Sequence, residues 1–179
     1  AWTNVGPGET EVTTSYAPAG EQGQAYGYMC GGNVHKEKLD KFSFANAGGT
    51  WANVATLSAD RNGPNTNHSW THGFVSAGAG TPYNFSIEKF AFASDGSTTN
   101  HADMAAHTQY GYGCGSSDKD GGYGYLNGGR RTSGSGPSYT TNKVSRFPFA
   151  SQSNATNIGT LQMCQDCPGN TVDRVNGYA

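Results

Sequence analysis

Apolar side chains along this chain occur in short alternating runs separated by polar, glycine-rich intervals, and nowhere at helical spacing. In LDKFSFA (39–45), IEKFAFA (87–93) and VSRFPFA (144–150), Phe42 and Phe44, Phe90 and Phe92, and Phe147 and Phe149 stand two residues apart. Period-two alternation predicts a strand with one strongly apolar face. Hairpin chemistry follows it in NAGG (46–49) and SDG (94–96). Upstream of each lies an aromatic-glycine segment: YGYMCGG (26–32), HGFVSAG (72–78) and YGYLNGG (123–129), with a last trace in NGYA (176–179). Downstream comes an asparagine-centred segment: WTNV (2–5), WANVATL (51–57), TTNHADM (98–104) and ATNIGTL (155–161).

Three marks in a fixed order, with Asn4, Asn53, Asn100 and Asn157 at one register, define an internal repeat of about fifty residues. Each repeat is expected to form three or four short antiparallel strands. The array divides into the second half of a partial repeat (1–25), repeats at 26–71, 72–122 and 123–175, and the start of another at 176–179. RNGPNTNHSWT (61–71), HTQYGYGCGSSDKDGG (107–122) and RRTSGSGPSYTTNK (130–143) are expected to be loops, from their length variation and polar composition. Pro148 cannot donate to a ladder, so it should lie at a bulge or face no partner.

Composition supports an all-β class. Only 34% of residues are hydrophobic and 13% charged, while 27 are glycine. Many tight turns use glycine and asparagine for positive φ, and aromatics supply cross-strand packing. Disorder is opposed by the 12% aromatic content, which recurs in register. A formal charge of −2, with no basic cluster beyond Arg130-Arg131, argues against nucleic acid, because phosphate contacts require concentrated positive charge. No apolar run approaches the roughly twenty residues of a membrane span.

In the first repeat Gly31-Gly32 closes a strand, Phe44 follows, then Trp51, then Arg61. That order and spacing resembles the kelch repeat, which usually has Tyr where Phe44 stands; later repeats keep it in part, with Ala77-Gly78 and Gly128-Gly129, and with Thr99 and Thr156 replacing Trp. More narrowly, the stretch Ile87–Gly96 and its flanks resemble the kelch-like arrays of marine bacteriophage virion proteins. The resemblance implies a kelch-like β-propeller, or a related blade array, on a tail fibre, capsid decoration or other particle surface. The chain holds about three and a half units, fewer than propellers generally use. The expectation is therefore a longer polypeptide or, as the alternative, identical chains that complete the ring.

No catalytic motif appears, and no enzyme activity, cofactor or metal is expected. Cys164 and Cys167 form a CxxC without a second ligand pair, and Cys30 and Cys114 each follow Tyr-Gly-Tyr-x. Structural disulfides are the first expectation, Cys30–Cys114 with Cys164–Cys167 being one of three connectivities; free thiols and a metal site are the alternatives. His72 replaces Tyr26 and Tyr123, and His101 replaces Val54 and Ile158, which favours packing over catalysis. Asp40 and Glu88 share a repeat position and read as solvated or loop-anchoring groups beside Lys41 and Lys89. Trp70, Tyr83, Tyr110, Tyr112 and Tyr139 fall in or beside loops, where aromatic faces stack on sugars or on neighbouring units. Asn67, Asn84 and Asn154 satisfy the N-glycosylation sequon. These features together predict a non-enzymatic structural or recognition protein of a virion or extracellular fibre, with glycan or host-surface binding through loops. Its partners are expected to be copies of itself, or adjoining repeats, and cell-surface glycans. An intracellular kelch-type adaptor and a carbohydrate-active propeller enzyme are the competing readings.

Overall fold

The computed structural model describes residues 19–33, 37–45, 51–78, 85–105, 111–132 and 138–165. These form three antiparallel meanders and no helix. The first sheet runs β1 (Ala19–Gln22), β2 (Tyr26–Cys30), β3 (Lys38–Ser43), β4 (Ala52–Thr56). The second runs β5 (Asn65–His68), β6 (His72–Ser76), β7 (Ser86–Ala91), β8 (Thr99–Asp103). The third pairs β9 (Cys114–Asp118), β10 (Tyr123–Asn127), β12 (Ser138–Pro148) and β13 (Thr156–Gln165). A short strand, β11 (Arg130–Thr132), pairs with the start of β12.

Each sequence mark has a local physical cause. Gly27, Gly73 and Gly124 lie opposite Phe42, Phe90 and Phe147 in the ladders. Each Phe ring lies across its glycine so closely that an added Cβ would come within 2.1, 2.3 and 2.5 Å of a ring carbon. The glycine pairs end the second strand with two consecutive positive φ angles, between 58° and 124° at Gly31-Gly32, Ala77-Gly78 and Gly128-Gly129. Ala77 adopts this conformation at φ 58° with a side chain, at a cost of about 1 kcal/mol. The recurring asparagine marks a β-bulge. Asp40 pairs Asn53, Glu88 pairs Asn100 and Ser145 pairs Asn157, while Val54, His101 and Ile158 are the extra residues that oppose no partner. In the first sheet Asn53 Nδ2 donates to Asp40 Oδ1 at 3.0 Å, so the bulge is held by a side chain as well as the ladder.

The sheets stack with their first strands together: β1 lies against β5, and β5 against β9. Between the first and second sheets, Tyr28, Cys30, Leu39, Ala55 and Leu57 pack on Val75 and Phe90, with Val54 and Phe92 beside them. Between the second and third, Phe74, Ile87, Ala102 and Met104 pack on Leu126, Phe147 and Ala155, with Phe149 beside them. The two interfaces repeat one geometry. Tyr28 stacks on Phe92 at 5.2 Å and 22°, and Phe74 on Phe149 at 4.8 Å and 19°. Thr98 N donates to Thr56 O, and at the equivalent place Ala155 N donates to Asp103 O.

Three expectations change. The segments 61–71 and 107–122 are not loops throughout, since they contain β5 and β9, the first strands of their sheets. The repeat legible in sequence is thus offset by one strand from the sheet. Segment 130–143 is likewise built on strand, because β11 and the start of β12 pair. Pro148 ends β12 opposite Tyr123 of β10; because Phe149 N is the donor to Gly122 O, the Pro148 nitrogen faces the other side, beyond the last β12–β13 pair at Arg146–Thr156, and no ladder bond is lost.

The glycine–phenylalanine contacts predict a graded response. Gly73→Ala should lower stability by about 1–3 kcal/mol, because the Phe90 ring must move. Gly159→Ala, where nothing lies within 4 Å, should change it by less than about 0.5 kcal/mol. Urea unfolding midpoints of the two variants check this.

Candidate functional site

Residues with chemical potential fall into two groups: those consumed in holding sheet to sheet, and those gathered at one exposed end. Glu88 belongs to the first group. Its strand parity puts it on the same face as Phe90, so it points into the first interface and is fully buried. Arg61, on the connection from β4 to β5, is also fully buried and reaches Glu88 through Nε at 3.1 Å and through Nη2. Its remaining donors go to Ala77 O at 2.6 Å and Ser86 Oγ at 2.8 Å. Ser58 N and Oγ and Thr98 Oγ1 complete the carboxylate's partners. Burial alone would raise the Glu88 carboxyl, but the Arg61 charge and these hydrogen bonds outweigh it and hold the group below the usual range. Asp40, its counterpart in the first sheet, is 5% exposed. Neither is solvated; of the two expected roles, Glu88 takes the loop-anchoring one, holding the connecting segments that carry Ser58, Arg61 and Thr98.

Polar side chains also join the first strands. His68 Nδ1 donates to Glu21 Oε1 at 2.5 Å across the first interface. At the same register in the second sheet, Asn67 Nδ2 donates to Ser116 O at 2.6 Å and Tyr125 O at 3.0 Å across the second. Burial raises the Glu21 carboxyl, and His68 only partly offsets that. Gly115 lets the strands meet, since a Cβ there would lie 1.8 Å from Thr66 O. Asn67 is 1% exposed and its amide is engaged, so the sequon at this position is closed to glycosylation. Asn154 is exposed, and its Oδ1 accepts from Asp103 N at 3.0 Å; Asn84 lies outside the described residues.

His101 fills the bulge position of β8 and is 2% exposed between Phe74 and Phe147. Its Nε2 donates to Pro148 O at 2.9 Å, so the ring is a structural link between the second and third sheets. Burial first, then Lys89, holds its pKa below the ordinary value, against the opposing bond to Pro148. The packing role expected for His101 matches this position, whereas His72 is only partly buried beside the β5–β6 turn. His35 and His107 lie outside the described residues.

Cys30 and Cys114 are free thiols in this structure. Cys30 is fully buried, and burial together with the Glu21, Asp40 and Glu88 carboxylates pushes its pKa well up. Burial also raises Cys114. Such thiols are poor nucleophiles. The Cys164 side chain and all of Cys167 lie outside the described residues, as do Tyr83, Tyr110 and the Tyr139 side chain; Tyr139 belongs to β12 and pairs with Arg131 rather than standing in a loop. Among the described residues, no cluster of three or more His, Cys, Asp or Glu is placed to hold a metal ion.

The second group lies where the first-to-second and third-to-fourth strand turns emerge. Trp70, in the β5–β6 turn, is 48% exposed. Lys119 Nζ sits 4.8 Å from the Trp70 ring centre, and Trp70 Nε1 donates to Asp120 Oδ1 at 3.2 Å. The β9–β10 turn carrying both partners is fixed by Asp118, which accepts from Gly121 N at 2.7 Å through its side chain and from Gly122 N through its carbonyl. Along the same end, Lys41 Nζ lies over Tyr26 and bonds Asp95 at 2.5 Å, and Arg146 lies over Tyr123 at 4.4 Å. Aromatic faces flanked by donors and acceptors suit a polar ligand with an apolar face. Of the five loop aromatics singled out in the sequence, Trp70 is placed for this role and Tyr112 is half-buried. Tyr26 and Tyr123, read only as strand marks, belong to the same row; their position at the start of an aromatic-glycine strand, with a cation immediately before the Phe of the next strand, was the signal.

Acidification tests the buried histidine. A folded pKa below the unfolded value near 6.5 means that the unfolded chain takes the proton first. Stability from His101 is therefore complete above about pH 6.5 and is lost as pH falls below it. His72, lowered by burial and by Lys89 and His101, acts in the same direction. The melting temperature should fall between about pH 6.5 and pH 5, and His101→Val should remove the larger part of that slope.

No family model and no curated protein sequence matches this chain. Solved structures do match. The structure of YjhT superposes with a TM-score of 0.67, covering 84% of this chain and 57% of that one at 9% identity. The chain thus spans little more than half of YjhT's length, and likeness at this identity is one of fold alone: the stacked antiparallel sheets are shared architecture.

Proposed function

We propose that this chain is a non-enzymatic structural and recognition segment of a virion surface or extracellular fibre. In this reading the sheets are kelch-like blades of a propeller or related array, and the aromatic end presents a glycan-binding row. One observation carries the reading. The residue types that catalysis would use, Arg61, Glu88, Glu21, His68 and His101, are tied to one another or to backbone across the sheet interfaces, whereas Trp70 stands exposed between a cation and a carboxylate. Rings of this kind stack on the C–H faces of sugars, while Lys119 and Asp120 offer a donor and acceptors to hydroxyl groups. Rigid interfaces suit a scaffold that holds such a row in place.

A second reading, the intracellular kelch-type adaptor, draws support from the free thiols of Cys30 and Cys114. Mass measurement of the unreduced native protein discriminates: a Cys164–Cys167 disulfide supports the extracellular reading, and four free thiols support the adaptor. For the recognition row, binding to an immobilised panel of cell-surface glycans should retain one class of sugar, and Trp70→Ala should weaken it by at least about tenfold, the loss of one buried aromatic contact. No retention, or equal retention by Trp70→Ala, overturns the glycan assignment.

A further inference from the structure

Among the described residues, the same sheet face is covered in two places and open in a third. The leading faces of the second and third sheets, Val75, Phe90 and Phe92 in one and Leu126, Phe147 and Phe149 in the other, are buried by the sheet before them. The equivalent residues of the first sheet are Met29, Phe42 and Phe44. Met29 and Phe42 are partly exposed and Phe44 is 45% exposed. Phe42, Phe44 and Trp51 border a groove of about 470 Å³ that continues along the first strands past Glu21 and Thr66, with Trp51 packed against Phe42 at 4.3 Å. At the other end of the stack, the trailing face of the third sheet has Tyr125, Val144, Ile158 and Leu161 where earlier sheets have Tyr28 or Phe74, Leu39 or Ile87, Val54 or His101, and Leu57 or Met104. Those earlier residues are buried almost throughout, but Ile158 is 48% exposed.

We infer that the leading face of the first sheet is a docking site for the trailing face of the third sheet of a second copy of this chain. The inference rests on the blade-array reading and names its partner. The two open faces are the two halves of an interface the chain already forms twice, so their shapes and chemistry are matched by repetition. Applying the internal geometry to the new contact places Tyr125 of one copy on Phe44 of the next, as Tyr28 stacks on Phe92 and Phe74 on Phe149. It also sets the Trp51 N–H against the Thr160 carbonyl, as Thr98 N meets Thr56 O and Ala155 N meets Asp103 O. Both are edge groups, Trp51 at the turn before β4 and Thr160 on the outer strand β13. A contact between two different faces is head-to-tail, and it closes a ring or grows a filament according to the rotation it imposes.

Sedimentation of the whole chain over a concentration series tests this. The wild type should gain mass with concentration. Phe44→Glu loses the leading face and Ile158→Glu the trailing face, so each alone should stay monomeric. An equimolar mixture of the two should form a dimer and stop there, because the intact trailing face of the first docks on the intact leading face of the second. Both side chains are exposed, so circular dichroism and melting should match wild type; should either charged variant unfold, Phe44→Ala and Ile158→Ala must each weaken association at least tenfold. A wild type that is monomeric throughout, variants that associate as wild type does, or a mixture that remains monomeric overturns the docking. Each of those outcomes leaves the glycan row standing if Trp70-dependent sugar retention is unchanged, and loss of that retention with association intact overturns the recognition reading alone.

Discussion

A four-stranded meander with apolar side chains on both faces cannot bury them by itself, and the rest of this structure follows from that constraint. Each sheet hides one face only by lying against the next. Close approach is needed for the stacking to exclude water and to bring rings into contact. The Phe-over-Gly arrangement provides it: laying the Phe90 ring across Gly73 and the Phe147 ring across Gly124 flattens the face that the preceding sheet must meet. Phe74 then reaches both Phe147 and Phe149, at 5.6 Å edge-on and 4.8 Å face-on. Aromatic pairs in these geometries contribute about 0.5–1.5 kcal/mol beyond the area they bury. Glycine is thus selected at these positions by the ring beside it, not by backbone conformation.

Polar groups inside the stack set its register. The Arg61–Glu88 pair is completely buried, and it is hydrogen-bonded on both sides, to Ser58 from the end of the first sheet and to Ala77 O and Ser86 Oγ from the body of the second. Such a pair adds little net stability over a hydrophobic alternative, because desolvating two charges offsets most of their attraction. Losing one partner, however, leaves a bare buried charge at a cost of about 3–5 kcal/mol. The pair therefore penalises a shifted sheet more than it rewards the correct one. The Glu21–His68 and Asn67–Ser116 links do the same at the first strands, where few apolar side chains are present to fix alignment.

The second, third and fourth strands of each sheet were legible because their marks are local. Alternating Phe, glycine pairs and a bulge asparagine each signal one backbone feature. The first strands were not, since AGEQ, NTNH and CGSSD carry no alternation: they meet other strands by backbone and polar contacts rather than by an apolar face. The burial of Glu88 could have been found from parity, as it stands two residues before Phe90 on the same face; its charge and its lysine neighbour argued the opposite. Asn67 shows the same limit, because a sequon says nothing of whether the amide already has partners. Trp70 was recognisable as an exposed aromatic, but Lys119 and Asp120 come from a turn about fifty residues away, brought to it only by stacking.

The two interfaces are the same contact made twice. Nuclear Overhauser measurements on the native chain, with its aromatic rings selectively labelled, test that most directly. Ring contacts are predicted both between Tyr28 and Phe92 and between Phe74 and Phe149, matching centroid separations of 5.2 and 4.8 Å. Either contact missing, while the ladders within each sheet remain intact, would contradict it.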